Sequence, residues 1–333
     1  MARAAGEDPA GSAPSPARYL LVEVPLPWPP DALRARGAPP GLAKVCARAS
    51  RAGVLALAIA PADPTGPTRV VHLSRPNGPF AAFEREEYLV QPGRVAALVA
   101  ALMDGMAGSF AAHRADGAER DLLVCTHGSE DACCGQLGGR LFELARREHG
   151  GVPGLRVWRA SHFGGHRFAP TLVDLPTGEC WAHVDADALR AVVRREGPLE
   201  PLRPRMRGWG GFDFFPQLVG REAFLREGWD WTALPKAGSA RVLDPPGRGA
   251  DALANPVFTD RPVRRVAVGL TVGPAVYQGV VELTGSAPGI GACGAAGWHR
   301  STYDVVSLTR AGAGQPAAPA IASMAANAGA ASM

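Results

Sequence analysis

Two thiols and two imidazoles stand in an arrangement that could hold one metal centre. An apolar run, Leu122 to Val124, delivers Cys125, and after eight intervening residues Cys134 stands directly ahead of a helical pattern. A second run, Leu155 to Trp158, delivers His162 and His166. With both runs predicted as strands, the four side chains converge at strand ends. Thiolate and imidazole together suit zinc, copper or an iron–sulfur cluster, whereas magnesium and calcium prefer oxygen ligands.

The surroundings favour the ligand forms. Cys125 ends a buried strand and Cys134 precedes a helix, so both sulfurs lie near backbone amides and the positive end of the helix dipole, which stabilises thiolate over thiol. Gly128, Gly135, Gly138 and Gly139 permit close backbone approach and N–H···S bonds, and Gly164 and Gly165 permit the turn that lets His162 and His166 face one centre. Three readings stay open on these residues: an iron–sulfur site, a structural zinc site, and a thiol–disulfide oxidoreductase. The 27 residues between Cys134 and His162 exceed most zinc-finger spacings. No Cys-x-x-Cys is present to serve as a dithiol. Cys133 offers a competing Cys-x7-Cys pair. His127 reads as a solvated loop residue or as a group behind the ligands, and Arg167 as a shield for negative charge or a surface residue. Cys46, Cys180 and Cys293 read as structural.

Cys-x8-Cys followed downstream by Ser-His-x-Gly-Gly-His-Arg-Phe-Ala resembles the sucrase/ferredoxin-like family. The resemblance is dense across residues 118–185, looser across 19–90 and 207–228, and thin beyond. It implies a thioredoxin-like ferredoxin with a [2Fe-2S] cluster whose ligands, both cofactor-binding and metal-binding, are Cys125, Cys134, His162 and His166. Family position prefers Cys134 over Cys133. It also implies an electron carrier rather than an enzyme with its own substrate, working with a redox partner protein. Two ferric ions, two sulfides, two thiolates and two neutral imidazoles sum to zero, against minus two for four thiolates. The same logic raises Rieske potentials to about −150 to +300 mV, against about −400 mV for plant-type ferredoxins. A moderate, pH-dependent potential is therefore expected. No carboxylate pair supports sugar hydrolysis, so no sucrase and no catalytic residue is expected.

Composition narrows the class. The 333 residues are 47% hydrophobic, enough for two small domains or one large one. Net charge is +4 and 33 of the 35 basic residues are Arg, a compositional bias without the basic–aromatic interleaving of a nucleic-acid binder. Six cysteines without a secretory signal point to a reducing cytoplasm. The most apolar helix, Val95 to Ala112, is Ala-rich and carries Asp104, so it reads as buried rather than membrane-spanning.

The expected fold class is α/β: a thioredoxin-like ferredoxin domain packed with an N-terminal α/β unit and a small C-terminal antiparallel β lobe. Residues 1–17 are expected to be disordered. An N-terminal unit follows over 18–117, with strands at Tyr19 to Val24, Val54 to Ile59 and Val70 to Leu73 and helices at Leu42 to Arg51 and Arg94 to Met106. Trp28, in a Pro-rich turn, is expected to pack over a domain edge. The cluster domain, 118–200, reads as strand, helix, strand, hairpin, helix, the order of a thioredoxin-like domain. Then come a turn at Arg207 to Gly211, a helix at Pro216 to Arg226 within a helical segment 201–234, and a linker 235–261. A β lobe over 262–310 and a disordered tail 311–333 complete the expectation. Duplication of the α/β unit is possible on these patterns but unproven by the residues.

Overall fold

Strand, helix, strand, hairpin, helix is the order of elements in each half of the main sheet. The computed structural model describes residues 2, 6–244, 253, 256–257, 261–290 and 297–312. The first half comprises β1 (Arg18–Glu23), α1 (Leu42–Ser50), β2 (Val54–Ile59), β3 (Thr68–Ser74), β4 (Glu84–Val90) and α2 (Val95–Met103). The second comprises β5 (Arg120–Cys125), α3 (Gly139–His149), β6 (Leu155–Ala160), β7 (Leu172–Leu175), β8 (Glu179–Trp181) and α4 (Ala186–Arg194). In each, the first two strands run parallel through a helical crossover, as parallel pairing requires, and the hairpin pairs antiparallel on the far side of the first strand. The spatial orders β2-β1-β3-β4 and β6-β5-β7-β8 are the same. The described elements are thus a structural repeat, which periodicity alone leaves unproven.

The two halves join where β2 meets β6 antiparallel at Ile59 and Ala160. Ser161 N–H donates to Ala58 O at 2.8 Å and its hydroxyl accepts Ala58 N–H at 3.0 Å. With β9 (Met206–Trp209) on β8 the sheet reaches nine strands among the described residues. Alternation along β1 supplies two cores. Tyr19 and Leu21 join the larger one, while Leu20 and Val22 face α1 and α2 with Trp28.

Three strands differ from expectation. β4 is a strand although Glu84-Arg-Glu-Glu lacks apolar alternation. Its Glu87 is buried and paired with Arg69, Arg85 and, at 2.8 Å, Arg156, so charge pairing takes the place of apolar patterning. Arg207-Gly-Trp, read as a turn, belongs to β9, because Gly208 and Trp209 pair with Cys180 and Glu179. The expected linker begins with a strand, β10 (Lys236–Val242). Its small residues hide the alternation, and its buried Lys236 donates to Trp231 O at 2.7 Å and Leu234 O at 3.0 Å.

After α5 (Phe214–Glu227), β10, β11 (Arg265–Val272), β12 (Ala275–Ile290) and β13 (Gly297–Gly312) form an antiparallel four-stranded sheet. Its Val266, Val268, Leu270 and Tyr277 share one core with Phe212, Val219 and Trp231, so the second sheet is built onto the main core. Residues 6–17, read from composition as disordered, lie against α5. Gln217 donates to Ala13 O at 3.0 Å and accepts Ala13 N–H at 3.1 Å, and buried Glu7 pairs with Arg167 at 2.7 Å. The tail expected from 311 begins in β13, which runs to Gly312, and its residues from 313 onward, like Cys293, lie outside the described residues. No described helix is long and apolar enough to cross a membrane.

Candidate metal centre

The sulfur side is built from the end of β5 and the start of a helix. Cys125 is the last residue of β5, and Cys134 opens a single π-helical turn (Cys134–Gly138) that runs into α3. Asp131 sets that start. Its buried carboxylate accepts the N–H of Cys133 at 2.8 Å and of Cys134 at 3.4 Å, as a capping residue does. Gly138 lets the turn press on the strand, since a Cβ there would run into the carbonyl oxygen of Cys125. Both sulfurs are buried in the main core, whereas Cys133 is half-exposed.

The imidazole side leaves β6 through Ser161. Gly165 sits at φ +77°, in the left-handed region, and leads directly into a short 3-10 turn over His166–Phe168. The turn stacks the rings of His162 and His166, with centroids 4.9 Å apart and 22° between planes. Gly164 N–H donates to His162 Nε2 at 3.1 Å, which leaves Nδ1 facing Cys125 Sγ at 3.8 Å.

The donor atoms of Cys125, Cys134 and His162 all lie within 4.8 Å of one another. His166 joins them through His162, in a second group of the same reach that includes exposed Glu130. The structure therefore brings three of the four expected ligands to one point and places the fourth beside them. Hydrogen bonding from Cys134, aided by His162 and the N–H of His127 and opposed by burial, holds Cys125 well below the usual thiol range. Cys134, donating to that sulfur and buried, is pushed up. Two sulfurs and an imidazole make a sulfur–nitrogen donor set that fits a soft or borderline metal.

His127 is buried and central, not solvated. Its Nε2 lies 2.8 Å from Pro29 O, its Nδ1 accepts His162 N–H at 3.3 Å, and its ring meets Trp28 edge-on at 5.8 Å. Ser129 Oγ donates to Trp28 O at 2.6 Å. The Pro-rich turn of the first half therefore closes over the Cys loop of the second, which is the edge that Trp28 packs over. Asp131 was missed, although an Asp three residues ahead of the helical pattern is a helix-cap signal. Glu130 carries no signal beyond its place in the loop. Arg167 is engaged by Glu7 and lies over the Phe168 ring at 4.3 Å. Cys46 and Cys180 are buried apart from the site, and desolvation pushes each thiol up to about 12, in keeping with structural roles.

A family model described as sucrase/ferredoxin-like matches residues 9–208. The match takes in both halves of the main sheet and all four expected ligands. Neither the comparison with curated proteins nor that with solved structures returned a match.

Proposed function

The chain belongs to the sucrase/ferredoxin-like family, and from that premise we propose that it is an electron-transfer protein that carries a [2Fe-2S] cluster on Cys125, Cys134, His162 and His166. The observation that carries this reading is the meeting of two buried sulfurs and the His162 ring within 4.8 Å, with the His166 ring stacked alongside. When bound, such a cluster takes up and gives back one electron. The protein's share is to hold and shield it. Cys125 and Cys134 keep the sulfur side out of water, and Asp131 and Gly138 fix the backbone that presents them. His162 and His166 are half-buried, so the imidazole side is where a redox partner protein and protons gain access. A reducing cytoplasm suits a site that depends on free thiols.

Substitution tests the ligand set. Cys125→Ser and Cys134→Ser should each abolish the brown-red colour and bound iron, while Cys133→Ser should keep most of both. Loss in Cys133→Ser with retention in Cys134→Ser would reverse the choice of second thiolate. One observation favours a second reading, a redox dithiol, because the Cys134 thiol bonds to the Cys125 sulfur. A colourless, iron-free wild type whose Cys125 and Cys134 oxidise to a disulfide would select it.

A further inference from the structure

We propose that Arg207 is a positioning residue for the His162–His166 loop and the fixed positive charge that favours the reduced state of the site; this rests on the cluster reading above. Arg207 lies on β9, outside both repeated halves, and is only 1% exposed. Its Nη1 donates to Gly164 O at 3.1 Å, its Nε to Ser12 Oγ at 3.1 Å, and its Nη2 to Ser12 O. The loop lies so close above it that a Cβ on Gly165 would come within 2.6 Å of Nη2. The guanidinium thus fixes the carbonyl between the two histidines.

Among the described residues no carboxylate is paired with its charge. An ion sealed from water is costly without a counter-charge, yet among the described residues no hydrogen-bond partner of Arg207 is a carboxylate. Arg167 repels it, and Cys180, Tyr19 and Cys125 lie within reach of its charge. Burial raises the pKa of Tyr19 and Cys180, keeping both protonated and neutral. Of the three, Cys125 belongs to the expected ligand set. A cluster on two thiolates and two neutral imidazoles is neutral when oxidised and gains one negative charge on reduction. Burial lowers the Arg207 pKa, but a guanidinium starts so far above neutrality that it stays charged near neutral pH, so Arg207 lowers the energy of the reduced form specifically.

The test is a dye-mediated redox titration of cluster-loaded protein, with iron content and far-ultraviolet circular dichroism measured alongside. Arg207→Gln should keep its secondary structure and iron while the equilibrium constant for one-electron reduction falls about tenfold, a shift of about 59 mV to lower potential. Arg207→Gln that is fully loaded and titrates at the wild-type potential overturns the inference. If Arg207→Gln takes up no iron, Arg207→Lys carries the test, since it keeps the charge on a different donor geometry. A potential for Arg207→Lys close to wild type supports the charge argument, and a tenfold loss there overturns it. Wild-type protein without iron and sulfide would instead refute the cluster reading, so the two failures are distinguishable.

Discussion

An imidazole that must donate from one nitrogen and accept at the other can do both only when neutral and in a single tautomer. His127 is in that position: Nε2 faces the Pro29 carbonyl and Nδ1 accepts His162 N–H. Groups that orient a ligand in this way typically change metal affinity by about 10–100-fold when removed. His127→Phe should keep the ring against Trp28 but release the His162 backbone, so cluster loss to a chelator should speed up at least about tenfold. An unchanged rate of iron release would show that His127 only fills space. The convergence of the four candidate residues was legible because their types are rare and glycines sit beside them. The place of His127 was not, since what buries it is a Pro-rich turn about a hundred residues earlier, and no local pattern reports that docking.

At the scale of elements, β4 shows where hydrophobic periodicity fails. Its Glu87 is buried among three arginines, and Asp121 nearby takes Arg156 at 2.8 Å and the Trp158 indole at 2.7 Å. This network ties β3 and β4 of the first half to β5 and β6 of the second. Removing one partner strands buried charge, at a cost of about 3–5 kcal/mol. Glu87→Ala should therefore lose roughly that much stability in denaturant titration, and a loss below about 1 kcal/mol would mean that water screens the network. β10 holds another buried charge that the sequence concealed. Burial lowers Lys236 from 10.5 to about 8, against the opposing pull of Glu179. Between those values the unfolded chain binds more protons than the folded one, so the contribution of Lys236 to stability rises with pH from about 8 to 10.5. Stability measured across that range should climb more steeply in wild type than in Lys236→Met, and parallel curves would contradict the depressed value.

Across the whole molecule, a repeated β-α-β-β-β-α unit makes one sheet, and the second copy carries the site while the first closes it. The alternation of strands and helices was legible in both halves because their apolar runs are bounded by Gly and Pro. The dependence of the C-terminal strands on the rest was not, because long-range packing leaves no local pattern. All four expected ligands precede residue 235, which would allow a shorter chain to bind the cluster if the last sheet stood apart. Yet Val266, Val268, Leu270, Tyr277 and Val281 pack into the main core, and at roughly 1.5–3 kcal/mol per large buried side chain their loss approaches the whole stability of a typical domain. A chain ending near 235 should be insoluble or unfolded, and a soluble truncation that holds iron would contradict this. The central claim, that two cysteines and two histidines hold a [2Fe-2S] cluster, is tested most directly by counting iron, acid-labile sulfide and zinc in anaerobically purified full-length protein. The account predicts about two irons and two sulfides per chain; one zinc without sulfide, or no metal at all, would contradict it.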